Sequence, residues 1–252
     1  TGSDQVWNLD LNDDKNYYLS FVDSKINNMN SYAASFGNIN MLERYAGFIK
    51  QELKKYKVIT VREESAKISL KEKLNINSSL VLDPTFLLNK KDWDIVCSKK
   101  LRKEKYILLY MLHEKSAYEI AERISKLTNL KVYVIIQSYR KTIKAEYIRN
   151  AGPDEFLWLI KNSEYVITDS FHGTALSIIY GKNLKVVLKN ENVHLNDRLI
   201  SILNLFRLND CIVDSKASNE KLLCCTDYSK SLEIIKTEIE KSKAVLNQII
   251  DI

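Results

Sequence analysis

The stretch Thr168-Asp169-Ser170-Phe171-His172-Gly173-Thr174 places an imidazole between two apolar runs. Imidazole titrates near neutral pH, so His172 can hand over a proton or, when charged, pair with a phosphate or carboxylate. The run before it, Tyr165 to Thr168, consists of β-formers suited to a strand covered on both faces. Thr174 to Tyr180 resumes with the spacing of a helix packed on that sheet, and Gly173 permits a tight turn between them. In open α/β folds ligands bind beyond the carboxyl ends of strands, where helix N-termini offer N–H groups and positive potential. His172 is expected either to face an anion there or to be satisfied by hydrogen bonds inside the turn, and spacing alone does not choose.

The elements that would position it alternate in kind. After residue 88 the pattern predicts strand Tyr106 to Leu112, helix Ser116 to Thr128, strand Lys131 to Ile136, helix Pro153 to Lys161, strand Tyr165 to Thr168, helix Thr174 to Tyr180 and strand Leu184 to Leu188. Such alternation implies a parallel sheet with right-handed crossovers, a Rossmann-like unit. Before it, Asn30 to Phe36 reads as a strand ending at Gly37, Met41 to Lys55 as a helix, Lys57 to Val61 as a strand and Ala66 to Leu74 as a helix. With only two prolines and six glycines in 252 residues, Asp83-Pro84-Thr85 and the polar Asn-Lys-Lys-Asp at 89–92 mark the main boundary. The expected domains are 1–88 and 89–227, followed by an amphipathic helix at 228–252 with Leu232, Ile235, Ile239, Leu246 and Ile249 on one face.

Composition narrows the classes. The chain is 45% hydrophobic and 28% charged, as expected of a soluble globular protein, and its apolar runs fall far short of the roughly 20 residues that cross a bilayer. The N-terminus lacks the basic and apolar regions of a signal peptide, so a reducing cytoplasm is the expected location. Cys97, Cys211, Cys224 and Cys225 show neither metal-ligand nor disulfide-framework spacing, no metal is expected, and the adjacent pair reads as two small buried hydrophobes in preference to a redox-active pair. Residues 1–88 hold 11 basic and 11 acidic side chains, so the net charge of +6 lies entirely in the second part. That suits an anionic ligand, whereas no dense basic run with interleaved aromatics argues for nucleic acid. GxGxxG, GxxxxGK[ST] and HExxH are all absent.

Five blocks in order carry a further signal: Gly2-Ser3-Asp4-Gln5-Val6-Trp7-Asn8, Ser31-Tyr32-Ala33-Ala34-Ser35-Phe36-Gly37, Val61-Arg62-Glu63-Glu64-Ser65, Leu82-Asp83-Pro84-Thr85 and Thr168 to Thr174. Together they resemble the polysaccharide pyruvyl transferase family, from Gly2 to about Val213. The resemblance implies two Rossmann-like domains facing a cleft, similar to GT-B glycosyltransferases. Because the family has a further segment ahead of the first block, the first domain is expected to lack its N-terminal part. The implied reaction moves the enolpyruvyl carbons of phosphoenolpyruvate onto two sugar hydroxyls of a cell-envelope polysaccharide, exopolysaccharide or lipid-linked precursor. A pyruvate ketal forms and phosphate is released, with phosphoenolpyruvate as co-substrate and no other cofactor. The expected place is the cytoplasm or the inner face of the membrane, with peripheral membrane association left open.

That chemistry needs an acid at the enol carbon and cations at the phosphate and carboxylate. His172 is the candidate acid or phosphate ligand, with Ser170, Phe171, Gly173 and Thr174 around the donor; His113 and His194 are weaker candidates. Some family members have Arg-Leu-His where this chain has Ser170-Phe171-His172, so the cation must come from elsewhere. Arg62 and Arg198 are the candidates, followed by Arg140; Arg62 could instead be an ion-pair partner of Glu63, Glu64 or Asp83. Ser3, Gln5, Trp7 and Asn8 suit the sugar acceptor through hydrogen bonds and stacking, and Asp4 either takes a hydroxyl proton or stabilises its own turn. A GT-B-type glycosyltransferase using a nucleotide sugar and a non-catalytic glycan-binding relative are the competing expectations.

Overall fold

The computed structural model describes residues 1–11, 15–23, 28–98, 104–112, 116–135, 143–189 and 196–251, and the chain divides into two units. The first comprises Thr1–Leu87, Asn192–Leu205 and Leu232–Ile252; the second comprises Leu88–Glu191 and Phe206–Ser231. Two segments that the sequence places in or after the second domain therefore pack with the first.

In the first unit β1 (Met29–Asn30) pairs in parallel with β2 (Tyr56–Val58), and β3 (Thr60–Val61) with β4 (Ser79–Leu80). Isolated parallel bridges Asp4–Ala34 and Ala34–Val61 extend the lateral order, so the backbone runs Asp4, Ala34, Val61, Leu80 side by side. Helix α1 (Met41–Leu53) buries Met41, Leu42, Ile49 and Leu53, one stripe at helical spacing. Helix α2 (Glu64–Leu74) buries Ala66, Leu70 and Leu74 and ends on Asn75, which caps it at φ 54°. Trp7 is fully buried, stacked on Tyr18 at 5.5 Å and meeting Phe36 and Tyr56 at 5.3 and 5.8 Å.

The second unit opens with α3 (Lys90–Val96), which begins on an Asn89 capping box. Then follow β5 (Tyr106–Tyr110), α4 (Ser116–Thr128), β6 (Lys131–Ile135), β7 (Glu146–Ile148), α5 (Pro153–Asn162), β8 (Tyr165–Thr168), α6 (Phe171–Ile179) and β9 (Asn183–Val187). After the first-unit helix α7 (Asp197–Leu205), the unit closes with β10 (Ile212–Val213) and α8 (Asn219–Leu223). All six strands are parallel in the order β10-β9-β8-β5-β6-β7. Both sheet faces are covered, which is why β5 and β8 read as unbroken apolar runs. Ile107, Leu109, Val134 and Ile167 meet Ala117, Ile120 and Ile124 on one side. Tyr106, Leu108 and Val166 meet Leu157, Trp158 and Leu176 on the other.

Three expectations change. Helix α6 begins at Phe171 rather than Thr174, because Ser170 takes the N-cap and its hydroxyl accepts from the Gly173 N–H. Gly173 therefore lies in the first turn of a helix, not in a turn ahead of it. The C-terminal helix α9 (Leu232–Ile250) docks most closely through its second half, Ile235 and Ile239 being half-buried. Val245, Leu246 and Ile249 pack on Tyr32, Ala33, Val81 and Leu87, and Ser242 Oγ accepts from the Leu82 N–H at 2.9 Å, whereas Leu232 is exposed. Cys224 and Cys225 are exposed rather than buried, since the segment after α8 runs over the surface.

A Cβ added at Gly173 would meet Thr168 Oγ1 at 2.6 Å and Tyr110 Cδ1 at 3.2 Å. The Thr168 hydroxyl cannot yield freely, because it donates to the Tyr110 carbonyl at 2.7 Å and accepts from the Ser170 N–H at 3.0 Å. Gly173→Ala is accordingly expected to cost about 1–3 kcal/mol in urea unfolding. A variant as stable as the wild type would show that this contact relaxes without loss.

Candidate functional site

The polar residues of the second unit gather where its topology reverses. From β5 the chain proceeds outward to β6 and β7, then returns to β8 on the other flank of β5, so β5 and β8 frame the switch point. Ligands of open parallel sheets bind beyond the carboxyl ends of strands at that point. Thr168 ends β8; Asp169 then accepts the Leu112 N–H at 2.6 Å and ties together the segments that leave β8 and β5. Ser170 caps α6, and His172 follows in its first turn, half-buried, its ring edge-on to Phe171 at 5.5 Å. The helix dipole favours an anion at this end. Thr174 Oγ1 is buried there without a hydrogen-bond partner among the described residues.

In the first unit a second polar group forms at the ends of the parallel segments that bring Asp4, Ala34, Val61 and Leu80 alongside one another. Arg62, the residue after β3, is buried. Its Nη1 lies 2.5 Å from Asp83 Oδ2, its Nη2 lies 3.2 Å from Asp4 Oδ1, and its Nε lies 3.6 Å from Glu63 Oε1. Ser3 donates to the same Asp83 oxygen at 2.5 Å, and Thr85 donates to the other at 2.6 Å. Ser35 donates to Glu63 Oε1, while Glu63 Oε2 is buried without a hydrogen-bond partner. Arg198, in the first turn of α7, turns its Nη atoms toward the Gln5 amide at 3.2 and 3.3 Å with the Gln5 oxygen facing it. Gly37 makes room for that amide: at φ 64° it sits where a Cβ would come within 2.1 Å of the Gln5 side-chain amide.

These charges do not titrate alike. Burial acts to raise the Asp83 pKa, but the Arg62 charge and hydrogen bonds from Ser3 and Thr85 outweigh it and hold the carboxyl below its usual range. For Glu63 burial wins over Arg62, Ser35 and Arg198, and the pKa is pushed up. Burial, then repulsion from Arg62, pushes Arg198 down.

The structure thus gathers Ser3, Asp4, Gln5, Arg62 and Arg198 in the first unit, and Ser170, Phe171, His172, Gly173 and Thr174 in the second. It removes Trp7 and Asn8 from the acceptor set. Trp7 is enclosed by aromatic rings, and Asn8 is buried with its Oδ1 accepting the Asp10 and Leu11 N–H groups at 3.2 and 3.3 Å. For Arg62 the ion-pair alternative is the observed one, with Asp83 and Glu63 as partners, whereas Glu64 pairs with Lys67 at 3.5 Å. The sequence reading misses Ser35, whose only signal is its place in the Ser31 to Gly37 block. His113, Arg140 and His194 lie outside the described residues.

Because Arg62 and Asp83 side chains are 1% and 2% exposed, removing one charge strands the other. Asp83→Asn is expected to lower stability at pH 7 by about 3 kcal/mol, the low end for breaking a buried pair, since Asp4 and Glu63 still face the cation. The Asp83 pKa is depressed on folding, so its contribution is present above the ordinary value of about 4 and is lost as pH falls through the lowered folded pKa. Urea midpoints of wild type and variant should converge on acidification; a gap under about 1 kcal/mol at pH 7, or one that does not narrow, would refute this account.

Comparison with known proteins gives this geometry a family. The model described as polysaccharide pyruvyl transferase matches residues 1–184. Among solved structures, UDP-GlcNAc 2-epimerase from Methanocaldococcus jannaschii is similar with a TM-score of 0.59 and 16% identity, over 93% of this chain and 75% of that one. A putative UDP-N-acetylglucosamine 2-epimerase from Listeria monocytogenes is similar with a TM-score of 0.51 and 9% identity, over 84% of this chain and 61% of that one. At such identities the likeness is one of fold, the α/β, Rossmann-like GT-B class. No curated protein sequence matches significantly. The matched span includes His172 at the switch point and the whole Arg62–Asp83 group, and on that match the chain belongs to the polysaccharide pyruvyl transferase family.

Proposed function

We propose that this chain transfers the enolpyruvyl carbons of phosphoenolpyruvate to two hydroxyls of a sugar in a cell-envelope polysaccharide or its lipid-linked precursor, releasing phosphate. The observation that carries this reading is a titratable imidazole in the first turn of α6, at the switch point of a parallel sheet, in a chain of this family. Protonated His172 gives its proton to the methylene carbon, leaving positive charge on the central carbon. One sugar hydroxyl adds there, the bond to the phosphate oxygen breaks, and the second hydroxyl closes the ketal. Of the two hydroxyl protons, one restores His172 and the other, taken up first by Asp4, leaves with phosphate. Asp4, exposed at the strand ends of the first unit, is the proposed acceptor of a hydroxyl proton, with Gln5 as an acceptor-side hydrogen-bonding group.

Arg198 is the proposed donor-binding cation. Arg62 already faces three carboxylates, whereas no carboxylate lies within ion-pair distance of Arg198 among the described residues. Phosphoenolpyruvate serves as co-substrate, and the reading calls for no further cofactor. The proposed place of action is the cytoplasmic side of the membrane; among the described residues no helix is long and apolar enough to cross it.

The test is phosphate release from phosphoenolpyruvate across a panel of cell-wall sugars. His172→Gln should lower kcat by about 10²–10⁴-fold with an unchanged urea midpoint, and Arg198→Gln should raise the KM for phosphoenolpyruvate. Full activity in His172→Gln would defeat the assignment. Thermal stabilisation by UDP-GlcNAc but not by phosphoenolpyruvate would favour a nucleotide-sugar transferase, the reading to which the epimerase-like fold lends weight. Glycan binding with no phosphate release would favour a non-catalytic relative.

A further inference from the structure

His172 belongs to the carboxyl end of the sheet in the second unit. At the amino end, beside the outer strands β9 and β10, lies a cavity of about 500 Å³, within the range that small-molecule sites occupy. Its wall includes Lys185, from the middle of β9, which is 3% exposed. An ammonium has three N–H donors. Among the described residues Lys185 Nζ meets one acceptor, the Cys224 carbonyl at 2.7 Å, and no carboxylate lies within ion-pair distance. A buried cation left with unused donors is costly unless something else satisfies them.

Two further cations line the same cavity from other elements. Arg207 follows α7 at φ 56°, a left-handed conformation that costs a non-glycine residue energy and that fixes where its side chain leaves the backbone. Lys221 comes from α8. Neither has an ion-pair partner among the described residues, although Asp210, Glu220 and Asp227 also line the cavity. Cations gathered from three elements and left unpaired match a dianion, which the Arg207 fork and the Lys185 ammonium can share. Carboxylates beside such a pocket can only accept, so their natural partners are hydroxyls.

We propose that this cavity binds a sugar phosphate, its phosphate held by Lys185, Arg207 and Lys221 and its hydroxyls by Asp210, Glu220 and Asp227. The site is separate from the transfer chemistry and does not rest on it. Its own thiols report on it: Cys224 and Cys225 are exposed and line the cavity, whereas Cys97 and Cys211 are buried.

The experiment follows iodoacetamide alkylation of the peptide carrying Cys224 and Cys225 by mass spectrometry, at ionic strength held constant with sodium chloride. Glucose 6-phosphate is the probe, with glucose and inorganic phosphate as separate arms. At twice its dissociation constant glucose 6-phosphate should slow alkylation roughly threefold; glucose should have no effect, and phosphate should act only at higher concentration. Protection should be lost in Lys185→Met. Should removal of a buried lysine prevent folding, the exposed pair Arg207→Gln and Lys221→Gln tests the same anion contacts and should abolish protection. No protection beyond the chloride control, or equal protection in the variants, overturns the site; protection by phosphate equal to that by glucose 6-phosphate overturns the sugar.

Discussion

The first unit depends on one buried cation. Arg62 leaves the end of β3 with its guanidinium out of water, and desolvating a guanidinium is tolerable only when carboxylates and hydrogen bonds replace the solvent. They arrive from three other places in the chain: Asp4 near the N-terminus, Asp83 beyond β4, and Glu63 next door, itself oriented by Ser35. Each partner stands at the end of a different parallel segment. The ion-pair group therefore acts as a register pin for short strands of two or three residues, which have few backbone hydrogen bonds of their own to fix them.

The second unit solves the same problem by packing. Its central strands are apolar on both faces, and burial against α4, α5 and α6 sets their register without ionic help. At the carboxyl end of β8, Thr168, Asp169 and Ser170 each spend a side-chain oxygen on the backbone: Thr168 to Tyr110, Asp169 from Leu112, Ser170 from Gly173. That consumption of polar groups by backbone makes a rigid seat for the first turn of α6. His172 is the residue in that turn whose ring can change charge near neutral pH.

The long elements of both units are legible in the sequence because their signals are periodic. Ser116–Thr128 and Tyr165–Thr168 emerge with the ends that spacing predicts, and the parallel order follows from the alternation. Where local chemistry competes with period, reading fails. Ser170 outbids Gly173 for the start of α6 because a cap satisfies an orphan N–H, a gain that apolar spacing does not register. Trp7 sits among Asp4, Gln5 and Asn8 in sequence and so looks like a rim aromatic, yet the chain turns it into contact with Tyr18, Phe36 and Tyr56, partners up to 49 positions away. Long-range packing of this kind leaves no local trace. The discontinuous first unit is hidden for the same reason: nothing near Asp197 or Ser242 announces that those residues bond or pack with segments before residue 88.

The two arginines show how burial divides labour between residues of one type. An anion approaching Arg62 would have to compete with Asp83 at 2.5 Å, in surroundings where each charge-assisted hydrogen bond lost leaves a buried carboxylate behind. Among the described residues Arg198 meets the neutral amide of Gln5 and no carboxylate at ion-pair distance; burial and the nearby Arg62 hold its guanidinium less favourably charged, which the more distant Glu63, Asp4 and Asp83 offset only in part. Neutral oxygen dipoles satisfy hydrogen bonds but do not compensate a charge, so the electrostatic deficit of the group lies at Arg198. The first unit thus holds a partly desolvated guanidinium with no carboxylate at ion-pair distance among the described residues. A cation that has been partly stripped of water and left without a carboxylate at ion-pair distance has the most to gain from an anionic ligand, which is the physical ground for proposing Arg198 rather than Arg62 as the donor-binding cation.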